Sequence, residues 1–301
     1  MQFTAQEILD YVRSGGSSTG YLDFSGAEID TVEPLIQYLA DKDGQYRWLL
    51  ARILGEIGPS VSCVSDALVR CTLSDMAPLR QHAALALGRI GGASVTVVSR
   101  LRDLLADQEK AVVVAAASSL LLLVPSSREA VTVLEEVLRQ EPVELRYWAA
   151  AGLVDAAHLD QAILEAALGA LEDPDDAIAS YAAARISDTV PAESVAPHLV
   201  ELLRSGNQKL QSGALRLVRN YGRALGFQGS GVVEAIVGAG LLDGDAREPE
   251  VTVTAMRAVR ELMPGETTLL EAVMRLSCAG DSWVATVAGD VLEEIGALPL
   301  E

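Results

Sequence analysis

A repeat of about 33 residues runs along almost the whole chain and constrains its fold more than any other feature. The repeat is clearest in Leu79-Arg-Gln-His-Ala-Ala-Leu-Ala-Leu-Gly-Arg-Ile-Gly91. Apolar side chains recur there every three or four residues, which places them on one face of an amphipathic helix. The glycines that follow end the helix, because glycine tolerates the left-handed conformation at a helix C-terminus. The apolar residues on this face are Leu79, Ala83, Leu87 and Ile90.

Counterparts of this helix can be aligned along the chain, and they begin near Tyr46, Leu79, Val112, Leu145, Ile178, Leu210, Val251 and Val284. Successive starts are separated by 33 residues, except for one interval of 32 and one of 41. The fifth residue is alanine in seven of the eight aligned helices: Leu50, Ala83, Ala116, Ala149, Ala182, Ala214, Ala255 and Ala288. We expect this position at a tight helix–helix contact, because a large side chain there would force the helices apart. The long interval predicts a glycine-rich surface loop between Gly222 and Gly231.

Each aligned helix follows another helical segment and a short acidic turn, so a repeat consists of a helix A, a turn and a helix B. The pattern predicts an all-α fold, a right-handed α-solenoid of about eight antiparallel helix pairs with an N-terminal cap. Residues 1–32 would form the cap, with Thr4 starting a helix from Ala5 to Arg13. Residues 33–301 would form the solenoid. Its repeats would lie near 33–59, 62–92, 95–125, 129–157, 160–190, 194–222, 231–263 and 266–297.

Composition limits the classes of function. Hydrophobic residues make up 50% of the chain but aromatic residues only 4%, which suits thin layers of packed helices. The net charge of −19 argues against binding to nucleic acid or to an anionic membrane, since both need a basic surface. The apolar run from Ala111 to Val124 is shorter than the ~20 residues of a membrane helix and predicts a buried central helix. The N-terminus lacks a secretory pattern and the three cysteines are expected to be buried, reduced thiols, so we expect a cytoplasmic protein.

Two motifs in the first repeat point to a known family. Residues Pro34–Asp43 read Pro-Leu-Ile-x-x-Leu-x-Asp-x-Asp, and Tyr46–Gly58 read Tyr-Arg-x-x-Leu-Ala-x-x-Leu-Gly-x-Ile-Gly. Together they resemble the HEAT repeat, in the short bacterial-type form also called the PBS-lyase HEAT-like repeat. The resemblance covers about residues 33–297, although the later repeats lose the glycine and most of the arginines. It implies a helical solenoid but no single function, because the family includes scaffolds, bilin lyases, DNA glycosylases and a di-iron hydroxylase.

No catalytic or metal-binding constellation accompanies the repeat in the sequence. The HEAT-type hydroxylase carries repeated His-Glu pairs as iron ligands, and none of His82, His158 and His198 is followed by glutamate. Nucleophile-elbow, Walker and dinucleotide motifs are also missing. We therefore expect a non-enzymatic protein without a cofactor or metal.

Three arginines, Arg47, Arg80 and Arg146, recur at multiples of 33 residues. They could form a row of ligand contacts. The favoured interpretation is a structural ladder that ties neighbouring repeats together. Its candidate partners are Asp41, Asp75 and Asp107.

Positions three, seven and ten of the B helices are expected to line the concave surface and to bind a partner. This places Trp48, Arg52, Gln81, Leu85, Tyr147 and Ala151 on that surface, whereas Trp148 could instead pack between repeats. Further along, Arg216, Arg219, Arg257 and Arg260, extended by Arg223, predict an arginine cluster. The cluster would be neutralised by nearby acids such as Glu261, Asp243 and Asp245, or would bind an acidic group.

These features predict a protein–protein interaction scaffold, a monomer or weak dimer, that binds a partner protein or peptide in its concave groove. The partner would be basic overall or would offer an acidic group to the Arg216/Arg257 cluster. Two alternatives stay open. One is a lyase or chaperone-type subunit acting on a bilin-protein or other cofactor-protein. The other is an acidic inhibitor or immunity-type protein that masks a basic target.

Overall fold

A computed structural model describes residues 2–16, 24–25, 27–222, 224–225, 229–242, 249–262, 267–278 and 282–294 of the chain. Side chains at 229–230, 250, 259–262, 267–269 and 282 are outside this description. The chain divides into two compact units, Met1–Ile163 and Leu164–Glu301. The described residues are almost entirely helical, which confirms the predicted all-α class. The handedness of the solenoid and the number of pairs stay predictions.

The first compact unit contains helix pairs arranged as the repeat predicts. Its A helices are α2 (Glu33–Ala40), α4 (Ser65–Cys71), α6 (Val95–Leu104) and α8 (Arg128–Gln140). Its B helices are α3 (Arg47–Ile57), α5 (Ala77–Ile90), α7 (Lys110–Leu123) and α9 (Val143–Ala156). The B helices pack side by side in chain order, and each A helix packs against the B helix of its own repeat. A 3-10 turn over Gly58–Val64 links α3 to α4.

The N-terminal segment of this unit covers the first repeat. Helix α1 (Ala5–Arg13) begins as predicted, because the Thr4 hydroxyl accepts from the Glu7 N–H at 3.2 Å while the Glu7 carboxylate accepts from the Thr4 N–H at 2.8 Å. Strands β1 (Gln2–Phe3) and β2 (Glu28–Ile29) pair in parallel. Phe24 is buried with its ring 4.9 Å from Phe3. The sequence did not predict these strands, since two residues are too few to leave an alternating pattern.

The second compact unit continues the same arrangement after helix α10 (Gln161–Gly169), in which the boundary between the units falls. Its A helices are α12 (Ala192–Arg204), α14 (Gly229–Gly238) and α16 (Thr267–Leu276). Its B helices are α11 (Asp176–Thr189), α13 (Gln208–Tyr221), α15 (Pro249–Leu262) and α17 (Ser282–Glu294), and a 3-10 turn spans Ala170–Glu172. Helix α14 begins inside the stretch predicted as a loop. Residues 223 and 226–228 of that stretch lie outside the described residues.

The alanine position of the B helices is fully buried throughout. Leu50, Ala83, Ala116, Ala149, Ala182, Ala214, Ala255 and Ala288 each have 0% of their surface exposed. This confirms the prediction that the fifth position lies at a tight contact, where only a small side chain lets neighbouring helices approach.

Helix α7 is the most deeply buried helix segment described for the first unit, with every residue from Val112 to Leu121 covered. The prediction of a buried central helix is confirmed for Val112–Leu121, whereas Leu122 of the same apolar run is 37% exposed. Across the described residues, no helix has both the length and the apolarity needed to cross a bilayer. The prediction of buried cysteines was wrong for two of the three. Cys71 on α4 is buried, whereas Cys63 in the 3-10 turn and Cys278 after α16 are exposed, because both lie outside the packed helix faces.

Candidate functional site

A groove in the first compact unit lies between the B helices α5, α7 and α9 and encloses a cavity of about 310 Å³. Its floor is formed by residues of α7 that are small or nearly buried: Val114, Ala115, Ser118 and Ser119. One wall comes from α5, with Gln81, His82, Leu85 and Arg89, and the other from α9, with Trp148, Ala151, Gly152 and Asp155. Ala111 and Leu122 complete the lining along α7. The groove is thus apolar at its base and polar at its rim.

Small residues bring the three helices close enough to form this groove. A Cβ on Gly88 would lie 2.7 Å from the Cβ of Ser119, and a Cβ on Gly152 would lie 2.8 Å from that of Ser118. The Ser119 hydroxyl donates to the Ala84 carbonyl oxygen at 2.8 Å, so its polar atom is satisfied within the α5–α7 contact. The floor is therefore fixed by close backbone approach, which leaves open space above it.

Aromatic and basic side chains border the groove on the α5 side. The ring of Trp48 on α3 lies 5.3 Å from that of His82, at an interplanar angle of 30°. Arg52 on the same helix pairs with Glu56 at 3.6 Å. Burial, together with the charges of Arg52 and Arg89, lowers the pKa of His82 to about 4. His82 is therefore neutral at neutral pH and presents an uncharged ring to the groove.

The structure brings together only part of the predicted concave set. Gln81, Leu85 and Ala151 line the cavity. Trp48 and Arg52 are not part of the lining, but both lie close to His82, which is. Tyr147 is exposed on α9 but does not line the cavity. Trp148, for which packing between repeats was the alternative, lines the cavity between α5, α7 and α9 with 43% of its surface exposed.

The helix positions of the groove differ from the predicted ones in one respect. Position ten, occupied by Gly55, Gly88, Leu121 and Val154, is buried between helices instead of lining the concave surface. Position four, with His82 and Trp148, and position eleven, with Arg89 and Asp155, line the groove instead. One residue turns a helix by about 100°, so a helix pattern read without the neighbouring helices leaves the edge of a face uncertain by one position. Among the groove residues at these positions, only Trp148 carried a signal in the sequence, namely its aromatic side chain.

The recurring arginines make contacts that hold turns in place. Arg80 donates to both carboxylate oxygens of Asp107, with Nε to Oδ2 at 2.8 Å and Nη2 to Oδ1 at 2.7 Å. Its Nη1 donates to the carbonyl oxygens of Ser74 and Asp75, so Asp75 contributes its backbone to Arg80. Arg146 donates to the Glu141 carbonyl oxygen at 3.1 Å, and Arg47 donates to that of Leu39 at 3.2 Å.

The predicted arginine cluster of the second compact unit is described in part. Arg216 on α13 pairs with the exposed Asp176 of α11 at 3.3 Å, a partner that the sequence did not suggest. Arg219 on α13 and Arg257 on α15 are exposed. The side chains of Arg260 and Glu261, and residues 223, 243 and 245, lie outside the described residues, so a cluster that binds an acidic group stays a prediction.

Metal ligands are not assembled in the part of the chain that the structure describes. No three histidine, cysteine, aspartate or glutamate side chains converge there as a metal site would require. What the groove offers chemically is an apolar base, one exposed indole and a rim with charges of both signs.

The described architecture defines a helical-repeat protein with a groove on its B helices. Residues 32–121 match the family model of HEAT repeats, which confirms the resemblance over that segment. Among solved structures, Escherichia coli YibA is 18% identical, with 87% of this chain and 92% of that chain covered and a TM-score of 0.43. The complex of CpcE and CpcF of phycocyanin lyase from a Nostoc species is 20% identical, with 93% and 97% covered and a TM-score of 0.41. Among curated protein sequences, none matches this chain.

Proposed function

We propose that the chain is a non-catalytic binding protein that holds a segment of a partner protein in the groove between α5, α7 and α9. The observation that carries this proposal is the exposed indole of Trp148 beside a cavity of about 310 Å³. That volume falls at the lower end of the range for ligand pockets, roughly 300–1,000 Å³. Exposed tryptophan is also among the residues that contribute most to binding at protein interfaces.

The chemistry of the groove favours a segment with one apolar side chain as its anchor. Leu85, Val114 and Ala115 form an apolar base on which such a side chain would pack beside Trp148. Gln81 can hydrogen-bond the backbone of the segment, whereas the Ser118 hydroxyl already donates to the Val114 carbonyl oxygen at 2.9 Å. Arg89 stands exposed on the α5 wall and would favour a segment with an acidic group on that side.

The test is selection of binders from a random peptide library, with a variant that fills the groove as the key comparison. Ala151 is partly exposed on the wall, so Ala151→Trp would occupy the cavity without entering the helix core. Ala184 on α11 holds the same repeat position in the second compact unit and is exposed, so Ala184→Trp is the matched control.

We expect selected peptides to share an apolar residue, to lose binding to Ala151→Trp and to keep it with Ala184→Trp. If the selected peptides bind Ala151→Trp with the same affinity as the unchanged chain, this groove is not their binding site. The lyase-type and inhibitor-type functions, the cytoplasmic location and the monomeric or weakly dimeric state stay predictions from the sequence.

A further inference from the structure

A second cavity, of about 540 Å³, lies at the edge of the first two repeats, away from the groove. It is formed by the end of α2, the start of α3, helix α4 and the turn that leads to α5. Its lining includes three basic residues, Lys42, Arg47 and Arg70, against one carboxylate, that of Asp75. In a chain with a net charge of −19 this local excess of positive charge is unusual. It favours an anionic occupant.

Arg47 has fewer hydrogen-bond partners than its guanidinium can use. The residue is 9% exposed, and its Nη1 donates to the Leu39 carbonyl oxygen at 3.2 Å. Its Nε is buried and has no hydrogen-bond partner. A buried guanidinium is costly unless its donors are satisfied by an acceptor, and a carboxylate is the best match to its planar fork.

The next repeat shows what is missing. Arg80 follows Arg47 by one repeat, and Asp107, which binds it with both oxygens, follows Arg80 by 27 residues. The residue 27 positions after Arg47 is Ser74. The two turns are built alike, because the Glu109 N–H donates to Asp107 Oδ1 at 3.0 Å and the Met76 N–H donates to Ser74 Oγ at 3.2 Å. Ser74 therefore occupies the place of the aspartate but brings no carboxylate.

We infer that this cavity binds the free C-terminal carboxylate of a partner chain whose last residue is apolar. The carboxylate lies against the guanidinium of Arg47, the group that Asp107 binds in Arg80, and Lys42 and Arg70 add favourable charge. Leu73 and Met76, 65% and 43% exposed, border the same cavity and cover the last side chain. An α-carboxylate fits better than an aspartate or glutamate side chain, because it carries its apolar side chain on the adjacent carbon.

The experiment uses the full chain labelled with ¹⁵N, in a buffer free of phosphate and carboxylates, and follows the Arg47 Nε–H signal. The Arg47 Nε–H signal is identified as the one that is missing from the spectrum of Arg47→Lys. The probes are N-acetyl-leucine, its amide and inorganic phosphate. We expect a saturable shift with N-acetyl-leucine and none with the amide, because the amide replaces the charged carboxylate with a neutral group.

The decisive variant is Ser74→Asp, which supplies the missing carboxylate from within the chain. We expect it to abolish the response to N-acetyl-leucine and to raise the melting temperature by about 2 °C. Ser62→Asp, at an exposed serine, is the matched control and keeps the response. Ala151→Trp also keeps it, which separates this site from the groove. A response to phosphate alone, an equal response to the amide, no response at all, or binding that survives Ser74→Asp would each overturn the proposal.

Discussion

The guanidinium of Arg80 binds the carboxylate of Asp107 with two hydrogen bonds, at 2.8 and 2.7 Å, across 27 residues of chain. Only 14% of the arginine side chain and 9% of the aspartate side chain are exposed. The pair therefore joins the turn of one repeat to that of the next in a place that water hardly reaches. Removing one partner of such a pair leaves the other charge buried without compensation.

We expect Asp107→Asn to lower the free energy of unfolding by about 3 kcal/mol, measured by urea denaturation at neutral pH. Asp176→Asn is the matched control, because its ion pair with Arg216 is 3.3 Å long and the aspartate side chain is 92% exposed. That variant should cost less than about 0.5 kcal/mol. Equal losses from the two variants would contradict a special role of the Arg80–Asp107 pair.

The same pair predicts a dependence on pH. The hydrogen bonds from Arg80 hold the pKa of Asp107 below its ordinary value of 3.8. A carboxyl group with a lowered pKa stabilises the fold fully above its unfolded pKa and loses that contribution as pH falls through the folded pKa. The difference between the unchanged chain and Asp107→Asn should therefore be constant above about pH 5 and shrink in stronger acid.

His82 predicts a loss of stability at milder acidity. Its pKa is lowered from 6.5 to about 4 by burial and by Arg52 and Arg89, so protonation favours the unfolded chain. Stability should be unaffected above pH 6.5 and fall as pH drops toward 4, by on the order of 3 kcal/mol. His82→Gln should flatten this part of the profile, whereas His158→Gln, at an exposed histidine, should leave it unchanged. If His82→Gln does not alter the dependence of stability on pH, another group causes the loss of stability in acid.

Gly88 tests the close contact under the groove. A Cβ there would lie 2.7 Å from the Ser119 Cβ and 2.8 Å from its Cα, so Gly88→Ala must push α5 and α7 apart. We expect a loss of about 1–3 kcal/mol in unfolding free energy. Gly289→Ala in α17 is the control, because no atom of the residues that the structure describes lies within 4 Å of its added Cβ. It should instead stabilise the chain by about 0.5–1 kcal/mol, since alanine favours a helix over glycine.

Much of the candidate site could be expected from the repeat pattern, and the part that was missed has a physical cause. Gln81, Leu85 and Ala151, which line the cavity, lie near the middle of the helix face turned away from the core. Trp148 was left ambiguous because it lies at the edge of that face. At an edge, the side chain is directed by the angle and distance between packed helices, which one helix pattern does not contain.

The sequence by itself determined the repeat, the helix pairs and the buried alanine position, because each depends on a periodicity that local chain geometry enforces. Ala83 and Ala116 are fully buried as their spacing requires. Only the tertiary structure decided which partner each recurring arginine has. Arg80 binds Asp107, whereas Arg47 donates to the Leu39 carbonyl oxygen and shares a cavity with Ser74. Such contacts arise from the packing of one repeat on the next, which the local pattern of a single helix does not contain.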